Sequence, residues 1–298
     1  MTREIGRVRG RAPGPTLIVV AAIHGNEPAG VVAARRVLGR IAAEGIELRG
    51  DVVCLVGNVA ALARDVRCDA RDLNRAWTRE RLDALRAGTF SPRDAEDREL
   101  AELHAAIEDA IAAARGPVSL LDLHTTSGDG PPFTIVPDGA ASGVLAWHVP
   151  LTCLTGLLEL LDGTMAVALS ARGVAGLVAE CGQHRAQGSA DRAEAALWLT
   201  LAAGGLLDET RAPWLGPMRG LLDAARGGLP RTVAVVHRHA VAPGDAFVMA
   251  PGFRHFDRVT RGQVLARDVR GDVVSPHDGY LLMPLYQPSG SDGFFVGR

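Results

Sequence analysis

The chain has 298 residues, 47% of them hydrophobic, enough for a large buried core in one big domain or one domain with a small appendage. Basic and acidic residues nearly balance at 32 and 34, a formal net charge of -2, which leaves no basic excess for nucleic acid or an anionic membrane as partner. Lysine is absent, which excludes a P-loop lysine, a Schiff-base lysine and a lysine acylated with biotin or lipoate.

The segment MTREIGRVRG lacks an apolar signal core, and residues 16–22 (TLIVVAA) then read as a strand covered on both faces. HGNEPAG follows and leads into a helical stretch over 31–43. The same apolar texture recurs at 51–56 (DVVCLV), 118–123 (VSLLDL) and 176–179, separated by Ala-, Arg- and Glu-rich stretches such as 95–114. Alternation of this kind predicts an α/β fold with helices on both faces of a central sheet. A helix is expected over 190–207 and a linker over 211–219, then short β-like runs at 232–239, 246–250 and 264–269. The expected division is a catalytic domain over 1–210 and a small β-rich domain over 211–298. In the latter, SPHDGYLLMP resembles a biotinyl/lipoyl-type barrel that has no lysine to carry either group.

The four cysteines, Cys54, Cys68, Cys153 and Cys181, show no CxxC spacing, so reduced thiols and a cytoplasmic location are the default. No uninterrupted apolar run reaches the ~18 to 20 residues that a spanning helix needs.

The sharpest local signal is His24-Gly-Asn-Glu27, a histidine and a carboxylate three apart in the loop after a core strand. Ligands and catalytic groups of open α/β sheets gather at the carboxyl ends of strands. His124 stands in the same kind of place, after VSLLDL and before Thr125-Thr126-Ser127-Gly128. Two histidines and one glutamate leave an open position for water, the ligand set of many catalytic zinc sites. Arg67, Arg71 and Arg75 with Asn74 form a second cluster, whose guanidinium forks offer a bidentate grip on a carboxylate and a cation to polarise a carbonyl. Glu180, beyond 176–179, is a candidate general base.

The ordered set HGNE, RxxxxDLNR, DLHTTSG and ECG resembles the succinylglutamate desuccinylase/aspartoacylase family, relatives of the zinc carboxypeptidases, over roughly residues 15 to 205. The resemblance implies a mixed central sheet of zinc-carboxypeptidase type with a small C-terminal β domain. It implies one zinc per chain on His24, Glu27 and His124, with Glu180 as base and proton shuttle. Arg67 would polarise the scissile carbonyl, Asn74 and Arg75 would hold the substrate carboxylate, and Asp72 would orient a zinc-bound histidine. SPHDGYLLMP and Tyr286 resemble the family's C-terminal β domain, which makes Tyr286 a substrate-binding candidate. Arg172 is the nearest candidate for the family's additional substrate-gripping arginine, at a shifted spacing. Asp122, His104, His148, His184, His237, His239 and His255 carry no motif role and are expected to be structural or surface residues.

The expected activity is removal of an acyl group from an N-acyl amino acid or similar small carboxylate-bearing amide. The rival readings are a metallocarboxypeptidase acting on short peptides and a non-catalytic ligand-binding module. The acyl group is left open, as is the oligomeric state, a homo-oligomer included.

Overall fold

The computed structural model describes residues 2–287 and 290–298. The chain opens with strands β1 (Glu4–Arg9) and β2 (Ala12–Ala21), then helix α1 (Ala29–Glu44), β3 (Arg49–Val56) and helices α2 (Val59–Ala63), α3 (Arg79–Arg86) and α4 (Ala95–Ala112). β4 (Val118–Thr126), β5 (Phe133–Ile135), α5 (Ala140–His148), β6 (Thr152–Thr155), α6 (Met165–Ser170), β7 (Ala175–Gln183), α7 (Ser189–Ala203) and α8 (Leu215–Arg226) follow. The remainder is β8 (Thr232–Ala240), β9 (Val248–Met249), β10 (Arg258–Val259), β11 (Val264–Asp268), β12 (Gly271–Val274), β13 (Gly279–Leu282) and β14 (Asp292–Gly297).

Among the described residues, eleven strands form one mixed sheet in the order β1-β3-β2-β4-β7-β5-β6-β8-β14-β13-β10. Its centre, β3-β2-β4-β7, is parallel, and the chain connects these strands through helices. β2 shows why both faces must be covered. Leu17, Val19 and Ala21 point into the layer that holds α1 and α7, while Ile18 and Val20 point into the layer that holds α4. All five are fully buried, and each large aliphatic among them contributes ~1.5 to 3 kcal/mol over an exposed position. This is the α/β architecture that the alternation of elements predicts. A smaller antiparallel sheet, β12-β11-β9, packs a separate cluster around Leu265, Leu281 and Phe294.

Three local differences from the sequence reading matter. β4 and β7 run on past the predicted ends, through His124 and Glu180, because both residues stay inside the ladder as Cα partners of each other. The stretch expected to be a linker is helical from Leu215 onward. Pro217 falls in the first turn of α8, where its missing N–H costs nothing, and Leu215 and Leu222 are buried against α7. The main sheet continues beyond residue 210, since β6 pairs in parallel with β8 and β8 pairs with β14.

Candidate metal centre

The loop after β2 is set by the backbone on both sides. Ala22 takes a positive φ of 55°, and Gly25 packs so closely on α2 that a Cβ there would meet the backbone of Ala61 and Leu62. The Gly25 amide donates to the carbonyl of Arg67 at 3.0 Å, which ties this loop to the arginine-bearing loop. That second loop is anchored from below by Glu96, fully buried at the start of α4, whose carboxylate accepts from the amides of Asp69 (2.7 Å) and Ala70 (2.8 Å).

These constraints bring His24, Glu27 and His124 together at the carboxyl ends of β2 and β4, all buried, with one donor atom from each within 4.8 Å of the others. The ring nitrogens divide cleanly. Nδ1 of His24 lies 2.8 Å from Glu27 Oε1, and Nδ1 of His124 lies 3.1 Å from Glu27 Oε2. On the far side of each ring sits another carboxylate. Asp72 Oδ1 is 3.0 Å from His24 Nε2, and Asp122 Oδ2 is 3.1 Å from His124 Nε2, although poorly aligned for a hydrogen bond. Two Nδ1 atoms and a carboxylate, each imidazole backed by a second carboxylate, form a donor set that can hold a metal ion.

The electrostatics favour a cation at this spot. Burial alone would raise the carboxyl of Glu27, but His24 and His124 hold it well below the usual range. Asp72 behaves alike, with burial outweighed by His24 and Arg67. His124 feels burial in the opposite sense, and Asp122 and Glu27 overcome it to keep the imidazole well above its ordinary value. A pocket that stabilises buried carboxylates and a protonated histidine has the charge balance in which a bound cation could replace that proton.

Glu180 lines the same cavity from β7, and its Oε2 is buried with no partner among the described residues. Burial pushes its carboxyl up to about 8; Glu27 and Asp122 add to the rise, while His124 and Arg67 oppose it. Asp72 ties the remaining pieces together. Its Oδ2 accepts from Arg67 Nη2 at 2.6 Å and its Oδ1 from the Asn74 amide at 2.8 Å. Asn74 Oδ1 in turn accepts from the Met165 amide at 2.9 Å, so this side chain also fixes the start of α6. Arg75 Nη2 donates to Asp292 at 2.8 Å, and its Nε is buried without a partner among the described residues.

Of the residues singled out in the sequence, His24, Glu27, Arg67, Asn74, Arg75, His124 and Glu180 line one cavity of about 110 Å³, with Asp72 behind Arg67. Arg172 and Tyr286 do not line it. Arg172 follows the C-cap of α6, Ala171, and forms an ion pair with Glu108 of α4, drawn there by the opposite charge (Nη2 to Oε2 3.0 Å). The Tyr286 hydroxyl donates to the carbonyl of Ala250 and accepts from the Phe253 amide, and its ring borders an outer groove that also includes Arg71 and Phe247. Three residues expected to be structural or surface stand at the site instead. Asp122 backs His124, a placement signalled by their i, i+2 spacing on one strand face. His184 and His255 line the cavity, as do Met283 of the SPHDGYLLMP segment and Leu285, Gln287 and Asp292 of the tail, the last three without any motif signal.

An α/β sheet with a His–Glu–His cluster at the ends of its parallel strands defines the general class. Solved structures share the fold over nearly the whole chain. The succinylglutamate desuccinylase/aspartoacylase from Rhodobacter sphaeroides matches at 21% identity, 98% of this chain and 85% of that one, with a TM-score of 0.65. The succinylglutamate desuccinylase from Vibrio cholerae matches at 15% identity over 98% and 90% (TM-score 0.67), and murine aminoacylase 3 at 19% over 97% and 96% (TM-score 0.60). No curated protein matches by sequence. The family model for the succinylglutamate desuccinylase/aspartoacylase catalytic domain matches residues 13–131, so over that segment the chain is similar to this family.

Proposed function

We propose that the chain is a zinc-dependent amidohydrolase that removes the acyl group from an N-acyl amino acid or a similar small carboxylate-bearing amide. The observation that carries this reading is the buried His24, Glu27 and His124 cluster with the partnerless carboxyl of Glu180 in the same cavity wall. A bound zinc ion would supply Lewis acidity and lower the pKa of a water molecule towards ~7. Glu180 takes the proton of the attacking water and returns it to the departing amine. Burial raises this carboxyl, and a cation held by His24, Glu27 and His124 would lower it again towards an ionised base able to take the proton. Arg67, fixed by Asp72, donates to the carbonyl oxygen as negative charge builds there. Arg75, which lines the same cavity, meets the substrate carboxylate.

The donor set with Glu180 in the same cavity wall favours this reading over a non-catalytic binding module. The partners proposed are small molecules, and among the described residues no helix is long and apolar enough to cross a membrane. The division near residue 210 belongs to the same proposal, with limited proteolysis between α7 and β8 as its test.

The experiment is a screen of N-acetyl, N-succinyl and N-formyl amino acids beside short peptides, following release of the free amine. Turnover of N-acyl amino acids but not of peptides is expected. Faster cleavage of peptides would transfer the assignment to a carboxypeptidase.

A further inference from the structure

The cavity has two unlike halves. One carries the donor cluster and Glu180, while the other is walled by Ile135, Leu157, Leu158, Leu161, Val178 and Phe295, all at most 8% exposed. A ligand carrying two carboxylates would need two available cations within reach. The chain has no lysine, and Arg67 and Arg75 are the arginines that line the cavity among the described residues. Both already face carboxylates. Arg67 is bound to Asp72 at 2.6 Å, and Arg75 to Asp292 at 2.8 Å.

Asp292 is itself held in place. Its Oδ1 accepts from Arg238 Nε at 2.6 Å, and its Oδ2 from the Ser291 hydroxyl at 3.2 Å as well as from Arg75. Arg238 is absent from the cavity lining and spends Nη1 on the carbonyl of Leu160 at 2.9 Å, so its charge braces Asp292 from behind. Between His124 and Glu180 the single arginine is Arg172, which is turned to Glu108. Among the described residues Arg67 and Arg75 are the only arginines that line the cavity, and a carboxylate placed against the leucine-rich wall would lose its hydration with no free guanidinium in exchange.

We infer that the site selects substrates with a single carboxylate, met by Arg75, and an apolar substituent that fills the Leu157/Leu158/Leu161 wall, and that Asp292 is a specificity-determining residue that turns away dicarboxylic substrates. The inference rests on the amidohydrolase reading and adds a substrate class to it. Asp292 acts by leaving Arg75 with capacity for one carboxylate and by presenting its own negative charge to a second. Because selection arises from desolvation and charge, it shows in binding as well as in turnover.

The zinc-loaded wild-type protein is assayed with N-acetyl-L-leucine, N-acetyl-L-phenylalanine, N-acetyl-L-aspartate and N-succinyl-L-glutamate, and the same four compounds are titrated calorimetrically into zinc-loaded Glu180→Gln. Expected is a kcat/KM at least ~10²-fold higher for the two apolar compounds, with dissociation constants in the same order, since an unpaired buried charge costs more than a missing methylene. Asp292→Asn should narrow that ratio about tenfold, the scale of one lost charge contact, by improving the dicarboxylates. Leu161→Arg, which supplies the missing cation, should narrow it as well, so the inference does not depend on one variant folding. Dicarboxylates bound and cleaved as well as the apolar pair by the wild-type protein would overturn it while leaving the amidohydrolase reading intact. Absence of hydrolysis together with calorimetric preference for the apolar pair would remove that reading and leave the pocket assignment standing.

Discussion

The parallel centre of the sheet and the tail side of the cavity meet around the same space, yet they are built differently. His24, Glu27, His124 and Glu180 sit on or directly after β2, β4 and β7, where ladder bonds and a buried loop fix the backbone. Asp292 and Phe295 come from β14 at the far end of the sheet, and Leu157 to Leu161 come from the segment after β6. The first region concentrates charge, whereas the second supplies apolar surface and one braced carboxylate. On the proposed reading, the reaction rests on a few rigid polar residues, while the choice of substrate rests on residues that only the completed fold brings near.

Removing the shuttle from the rigid region should produce the largest effect. Glu180→Gln is expected to lower kcat by ~10³-fold while retaining zinc, because an amide cannot accept the proton of the attacking water. Near wild-type kcat in that variant, measured with zinc content verified, would move the base elsewhere in the cavity.

The tail side should reveal itself through acid stability. Burial pushes His255 down to about 4 from an ordinary 6.5, and its Nδ1 accepts from the Met283 amide at 2.9 Å. The unfolded chain therefore binds a proton that the folded chain refuses between those values. This contribution is complete above about 6.5 and is lost as pH falls towards 4, up to about 3 kcal/mol. Denaturant titrations from pH 7 to 4 should show this loss, and His255→Asn should make the curve shallower over the same window. An unchanged slope in the variant would break the link between the tail and the cavity's acid sensitivity.

The two arginines divide the regions further. Arg67→Lys should depress kcat by about 10²-fold, since the contact strengthens as the oxyanion forms and an ammonium does not reproduce the guanidinium that Asp72 orients. Arg75→Lys should instead raise KM about tenfold with zinc content unchanged, the smallest of these effects, because its contact is already made in the ground state. Esterifying the substrate carboxylate should mimic the Arg75 lesion in the wild-type protein. A blocked substrate cleaved as well as the free acid would mean that Arg75 is not a carboxylate clamp.

Much of the rigid region was legible in the sequence because buried parallel strands read as continuous β-branched runs, and functional residues follow where such runs end. His24, Glu27 and His124 could be picked on that ground, although His124 and Glu180 turned out to lie within longer strands. Asp122 was visible as the i, i+2 partner of His124, but an acid inside a core strand gave no sign of which ring it would back. The tail was harder to read. β10 has two residues, too short for a period, and α8 ahead of it was hidden by the two prolines near its start. Asp292 lies 217 positions from Arg75, so only the sheet order could have paired them. Arg172 misled for the same reason, since spacing along the chain could not foretell the pull of Glu108 from α4.

The claim beneath all of this is that His24, Glu27 and His124 hold a metal ion, and elemental analysis of the purified protein tests it most directly. About one zinc per chain is expected in the wild type and in Glu180→Gln, with most of it lost in Glu27→Ala, because one three-donor site is present among the described residues. Metal near zero in protein never exposed to chelators, with no activity gained on adding zinc, would contradict it.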